Sequence, residues 1–169
     1  MIAMSFIGIR KSEKQPVRLE LRNGKFMIWK ESNQPSEGFD YVVGRLVGID
    51  VRRCSTSKGE LVYCDFQMVN DDDRFVISTL VSSGITANLV SRLKCVKDPA
   101  NSMLRIDAWA NNIYTNIYLK ENGIPVTRVI LPRVEKVEHD LKVEIDSTKR
   151  DAAVMAIIEE IKGKLHHSS

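Results

Sequence analysis

The sequence has few cysteines and no long apolar run. Its three cysteines, Cys54, Cys64 and Cys95, form no Cys-x-x-Cys pair, and the short apolar start of the sequence, without basic residues before it, leads us to expect no secretory signal. This pattern favours a reducing, cytoplasmic location and free thiols over a disulfide between Cys54 and Cys64. No apolar run approaches the roughly 18 residues that a membrane-spanning helix needs, so we expect no membrane partner.

Catalytic and metal-binding signatures are also missing from the sequence. It contains no Ser/His/Asp set, no His-Glu-x-x-His and no phosphate-binding P-loop. The run Asp71-Asp72-Asp73 lacks the glycine and the distal glutamate of a calcium loop, so it predicts a solvated turn. We therefore expect a protein that is not an enzyme and that carries no cofactor and no metal.

What the sequence does contain is a strand-rich central segment, Tyr41 to Leu80. Three runs of β-branched, aliphatic and aromatic residues are separated there by the polar clusters 55–59 and 70–73, which predicts a three-stranded antiparallel meander. The first run is about fifteen residues long against roughly five or six for a usual strand, so it must bend, and Gly44 and Gly48 are the expected places.

The second run predicts two different faces by its alternation. Its apolar side chains are expected in the core: Val62, Cys64, Phe66 and Met68. The residues between them, Tyr63, Asp65 and Gln67, are expected on a wet or ligand-binding surface.

The flanking segments predict further elements. Before the meander, Asn23-Gly24 joins two strand-like runs and predicts a type I′ hairpin. After it come a short helix over 85–94 with Ser83 as N-cap, and strands near 103–109, 113–119 and 124–130. The tail is first charged and extended and then helical, with Thr148 and Asp151 spaced as a capping box. Its apolar stripe consists of Val154, Ile157, Ile158, Ile161 and Leu165.

This order of elements resembles the OB-fold, a partly open five-stranded Greek-key barrel. The resemblance implies a mainly β fold, with a five-stranded OB-fold barrel and one short helix between strands 3 and 4. An N-terminal β-hairpin and a C-terminal amphipathic helix are added to it. We expect an N-terminal hairpin extension over 1–37, the barrel over 38–131, and an extended arm with the helix over 132–169.

Within that fold, the first hairpin resembles single-stranded DNA-binding proteins of bacterial and phage type. Arg52-Arg53 before its loop and the run from Lys58 to Tyr63 after it carry this resemblance. It implies binding of single-stranded DNA without strong sequence preference, as a protecting protein in replication or recombination. The C-terminal helix departs from the flexible linker and acidic tip of the bacterial proteins.

Binding an unpaired strand requires cations for phosphates and flat rings for bases. The candidate cations are Arg45, Arg52, Arg53, Lys58, Arg105 and Lys120, and the candidate rings are Tyr41, Tyr63, Trp109, Tyr114 and Tyr118. Net charge supports a polyanionic partner weakly, since residues 1–64 carry +4, residues 65–133 carry +1 and residues 134–169 carry −2.

Two other functions compete with this hypothesis. The chain could be an OB-type structural or protein-interaction module that uses its C-terminal helix to form a homo-oligomer or to bind a partner protein. It could also bind RNA in place of DNA. Competition between RNA and DNA, and complex formation without nucleic acid, would separate the three.

Overall fold

The computed structural model describes residues 16–28 and 38–167, and the statements below concern those residues. The strands are β1 (Val17–Arg22), β2 (Lys25–Ile28), β3 (Gly38–Phe39), β4 (Tyr41–Thr56), β5 (Gly59–Asn70), β6 (Asp73–Leu80), β7 (Leu104–Asn111), β8 (Tyr114–Glu121), β9 (Ile124–Pro125), β10 (Glu135–His139) and β11 (Lys142–Asp146). The helices are α1 (Gly84–Leu93) and α2 (Thr148–His167).

The long strand β4 organises the main sheet, whose order is β3-β2-β1-β6-β5-β4-β7-β8-β9. Its first four residues pair with β7, and the rest pairs with β5. Near the start of the part that pairs with β5, the register shifts between Leu46 and Gly48, which leaves Val47 as an extra, exposed residue. The expected bend of this strand is therefore a bulge, and it lets one strand serve two neighbours.

The predicted meander β4–β5–β6 is confirmed, and so is the core face of β5. Cys64, Phe66 and Met68 are almost fully buried and form one apolar core with α1, β7 and β8. Helix α1 begins as expected, because the Ser83 hydroxyl accepts a hydrogen bond from the Thr86 backbone N–H at 3.2 Å.

The fold is mainly β, but the main sheet is open, and the described residues show no closed five-stranded barrel. The edge of β6 that faces away from β5 pairs in parallel with β1, and β8 pairs on its other side with β9. The strand expected near 124–130 is reduced to Ile124–Pro125. Parallel pairing joins segments far apart in sequence, so local patterns do not reveal it.

The predicted hairpin at Asn23-Gly24 is confirmed, with positive φ at both residues. It is part of the main sheet, since β1 lies between β2 and β6. Its turn meets the β7–β8 hairpin, where the Gly24 N–H donates to the Thr115 hydroxyl at 3.0 Å. Trp29 and the basic residues of segment 1–15 lie outside the described residues.

The C-terminal part consists of a separate β10–β11 hairpin, exposed along its whole length, followed by α2. The apolar stripe of α2 packs on the chain's own body, with Val154, Ile158 and Ile161 fully buried in the common core. The expected capping box at Thr148 and Asp151 is wrong. Asp146 instead accepts hydrogen bonds from the Thr148 backbone N–H at 2.9 Å and from its hydroxyl at 2.6 Å.

Candidate nucleic-acid interface

The outer face of β7 and β8 displays polar and aromatic side chains above a buried inner face. Leu104, Ile106 and Ala108 point into the core, as the alternation of β7 predicts. The residues between them point outward and meet the outward residues of β8. We call this surface the aromatic face, and it comprises Tyr41, Arg92, Arg105, Asp107, Trp109, Tyr114, Tyr118 and Lys120.

Two exposed rings form the centre of the aromatic face. Trp109 and Tyr118 stack with their ring centroids 5.3 Å apart and their planes at 26°. They are diagonal neighbours across the two strands, because Asp107 is the direct partner of Tyr118. Trp109 is 41% exposed and Tyr118 is 48% exposed. The pair therefore offers a flat, solvent-accessible apolar surface that the core does not need.

A cation from helix α1 flanks this ring pair on one side. The Arg92 guanidinium carbon lies 4.9 Å from the centroid of the Tyr118 ring. Its hydrogen bonds within the described chain go to neutral oxygens, Asn88 Oδ1 at 2.9 Å and the Val126 carbonyl at 3.1 Å. Burial and the nearby charge of Arg128 lower the pKa of Arg92. The Arg92 guanidinium is therefore held in place, and neither of these hydrogen bonds goes to a carboxylate.

A second cation, Arg105, lies on the outer side of β7. Its guanidinium carbon is 3.9 Å from the centroid of the Tyr41 ring, and its Nη2 is 3.0 Å from an Asp107 carboxylate oxygen. The hydrogen bond with Asp107 is the main cause of a raised Arg105 pKa. Asp107 therefore neutralises part of the positive charge of this face.

Two further predicted residues lie at the ends of β8. Lys120 is the direct cross-strand partner of Arg105, and Tyr114 begins the strand at the β7–β8 turn, where it is 68% exposed. The aromatic face thus brings together six of the predicted site residues, namely Tyr41, Arg105, Trp109, Tyr114, Tyr118 and Lys120.

The structure places Arg52 and Tyr63 elsewhere, as direct cross-strand partners on β4 and β5. The Arg52 guanidinium carbon lies 4.8 Å from the Tyr63 ring centroid, and its Nε is 2.9 Å from Asp65. Asp65 is buried and also accepts hydrogen bonds from Ser78 at 2.7 Å and Arg18 at 3.2 Å. We call Arg18, Arg52, Asp65 and Ser78 the Asp65 network.

Opposing influences set the charge of this network. Burial by itself would raise the pKa of Asp65, but the hydrogen bonds from Arg52 and Ser78 and the charges of Arg18 and Arg52 lower it. The hydrogen bond between Arg52 and Asp65 also raises the pKa of Arg52. Asp65 was expected on a wet or ligand-binding surface, and that expectation is wrong. Arg52 is thus already paired with a carboxylate.

The remaining predicted cations do not join the aromatic face. Arg53 pairs with Glu60 at 2.7 Å, and Lys58 lies exposed in the β4–β5 turn. Arg45 lies near the Ala100 carbonyl oxygen at 3.5 Å. Sequence reasoning missed Arg92, because it was assigned only to a core-packing helix. Arg92 meets Tyr118 because the last turn of α1 lies next to β8, and this contact between distant segments leaves no local sequence pattern.

Within residues 16–28 and 38–167, neither helix is long and apolar enough to cross a membrane. The same residues contain no group of three or more His, Cys, Asp or Glu side chains that could hold a metal ion.

Comparison with known proteins identifies no relative. The chain matches no protein-family model, no curated protein and no solved structure.

Proposed function

We propose that the aromatic face binds single-stranded nucleic acid, and specifically single-stranded DNA without strong sequence preference. The observation that carries the proposal is the exposed Trp109–Tyr118 stack, with Arg92 over Tyr118 and with Arg105 on the same sheet face, over Tyr41. Bases stack on exposed rings with about 1–3 kcal/mol each, whatever their identity, and arginines bind the phosphates between them.

We further propose that β4 to β8 together with α1 form an OB-type unit. Three features support it: a long bent first strand shared by two neighbours, a meander that follows, and a helix between the third and fourth strands of the unit. In this chain β1 takes the position beside β6 at which an OB barrel would close on its last strand. The proposed strand-binding surface lies on the last two strands of the unit.

The competing hypothesis, a protein-interaction module that uses the C-terminal helix, has lost its main support. The apolar stripe of α2 was its proposed contact surface, and Val154, Ile158 and Ile161 are buried within the same chain. The exposed Trp109–Tyr118 rings beside Arg92, whose hydrogen bonds go to neutral oxygens, suit base stacking and phosphate binding. RNA in place of DNA remains an alternative that a competition experiment decides.

Fluorescence of Trp109 provides a direct test. The chain has two tryptophans, so a Trp29→Phe variant leaves Trp109 as the only indole. Addition of oligo-dT is expected to quench its emission, and the affinity is expected to fall as salt rises, with a slope of about 0.7 per phosphate contacted. Binding to duplex DNA and to oligo-U is measured under the same conditions.

Substitutions then locate the surface. Tyr118→Ala is expected to weaken oligo-dT binding about tenfold, which corresponds to one lost base stack. Tyr63→Ala is the matched control, since it removes a ring that also lies under an arginine, Arg52, but outside the aromatic face. No salt-dependent oligonucleotide binding, or an equal loss in both variants, would refute the proposed surface.

A further inference from the structure

A second feature, a cavity beside helix α1, is not used by the aromatic face. It has a volume of about 610 Å³ and lies between one face of α1, the segment 128–134 and the first turn of α2. That size is within the range of small-ligand pockets, roughly 300–1,000 Å³. The segment is fixed on α1 by a hydrogen bond from the Val129 N–H to the Ser91 carbonyl at 3.1 Å.

The charged side chains that line this cavity are all arginines. Arg128 and Arg133 come from the segment and Arg150 from α2, and no aspartate or glutamate lines the cavity. Like charges around one space repel each other, and the effect of Arg128 on the pKa of Arg92 shows that the positive charge extends toward α1. An anion in the cavity would relieve this repulsion.

Arg150 supplies an independent indication of a missing partner. Its Nη2 donates to the Ser82 carbonyl at 2.6 Å and so fixes the guanidinium at the cavity wall. Its Nε is buried and has no hydrogen-bond partner among the described residues. Leaving a buried donor unpaired is unfavourable, and more so for a charged group. Arg150 is therefore anchored at the cavity wall with one donor unpaired.

We propose that this cavity binds a phosphate group. Three guanidinium groups without a carboxylate match the two or more negative charges of a phosphate ester or a pyrophosphate, and the planar fork of arginine fits phosphate oxygens. The phosphate belongs either to a small phosphorylated molecule or to the end of a nucleic-acid strand. The site does not depend on the aromatic face being a nucleic-acid surface.

The test measures the binding of inorganic pyrophosphate to the full chain by calorimetry in a buffer free of phosphate. Arg128→Gln and Arg133→Gln each remove one exposed lining cation, and each is expected to weaken binding about tenfold, the size of one charge-assisted hydrogen bond. Lys136→Gln is the matched control, because it removes an exposed cation of β10 outside the cavity. It is expected to leave the affinity unchanged.

Oligo-dT with and without a 5′-phosphate separates the two sources of the phosphate. Tighter binding of the 5′-phosphorylated strand, lost in the Arg128→Gln/Arg133→Gln double variant, identifies the strand end. Pyrophosphate binding without such a preference identifies a small phosphorylated molecule. Absence of pyrophosphate binding to the wild type, or wild-type affinity in both arginine variants, overturns the site. Trp109→Ala should leave pyrophosphate affinity unchanged, so the two proposals fail independently.

Discussion

A Cβ atom on Gly24 would lie 2.1 Å from the backbone nitrogen of Ala110. The turn of the β1–β2 hairpin therefore touches the main chain of β7 directly, next to the exposed ring of Trp109. A residue with a side chain does not fit there unless one of the two hairpins moves. The contact connects one edge region of the open sheet with the strands that carry the aromatic face.

The first prediction follows from this contact. Gly24→Ala is expected to lower the free energy of unfolding by about 2 kcal/mol or more, because it adds a backbone clash to an unfavourable positive φ. Gly123→Ala is the matched control, since Gly123 has a similar φ of +84° but open space around its Cβ position. Urea unfolding of both variants measures the difference, and equal losses would show that the close approach costs nothing.

The Asp65 network predicts a pH-dependent contribution to stability. Asp65→Asn removes the charge that faces Arg18 and Arg52, and it is expected to cost about 1–3 kcal/mol at neutral pH. The folded-state pKa of Asp65 is lowered, so its contribution is complete above the unfolded pKa of about 3.9 and is lost as pH falls through the folded value.

Urea unfolding at several pH values checks this prediction. The stability difference between wild type and Asp65→Asn is expected to be constant at neutral pH and to shrink below about pH 4. Glu60→Gln is the control, because the exposed Arg53–Glu60 pair should contribute about 0–1 kcal/mol. A difference that stays constant down to pH 2 would contradict the role of the Asp65 charge.

The three free thiols are expected to differ in reactivity. Burial, followed by the charges of Asp65 and Asp50, raises the pKa of Cys64 to about 12. Cys54 and Cys95 are only half-buried. At pH 8 iodoacetamide should therefore modify Cys54 and Cys95 in the native protein while Cys64 reacts only after unfolding. Mass spectrometry of tryptic peptides determines the order in which the three cysteines are modified. Early labelling of Cys64 would contradict its burial.

Removal of an acidic group from the aromatic face is expected to improve the proposed binding. Asp107→Asn frees Arg105 and removes a charge that repels phosphate, so oligo-dT should bind about threefold more tightly at low salt. Asp72→Asn in the exposed β5–β6 turn is the control. Fluorescence titration measures both variants, and weaker binding by Asp107→Asn would mean that its pairing with Arg105 shapes the site.

Much of the fold could be predicted from local sequence patterns. The meander, the Asn23-Gly24 hairpin, α1 with its Ser83 cap and the buried stripe of α2 are all encoded within short windows. Alternation also identified the inward and outward sides of β7. Each of these features depends on the spacing of apolar residues or on turn-forming residues that are near each other in the sequence.

The rest depends on contacts between distant segments. The pairing of β1 with β6 is parallel and spans more than fifty residues, so no turn signal marks it. For the same reason the sequence did not separate Trp109 and Tyr118 from Tyr63. The alternation of β5 predicts Asp65 on the surface. In the structure, Arg18 of β1 forms an ion pair with Asp65, helps to cover it and neutralises its charge. Arg92 was overlooked because its neighbour Tyr118 belongs to another element.

The position of β1 also has a consequence during synthesis. The first strand leaves the ribosome well before β6, which begins at Asp73, so it must wait for its parallel neighbour. Closing so long a loop carries an entropic cost that shorter hairpins avoid. A nascent chain that stops short of residue 73 can pair β1 only with β2, and the other edge of β1 is then open to pairing with other chains.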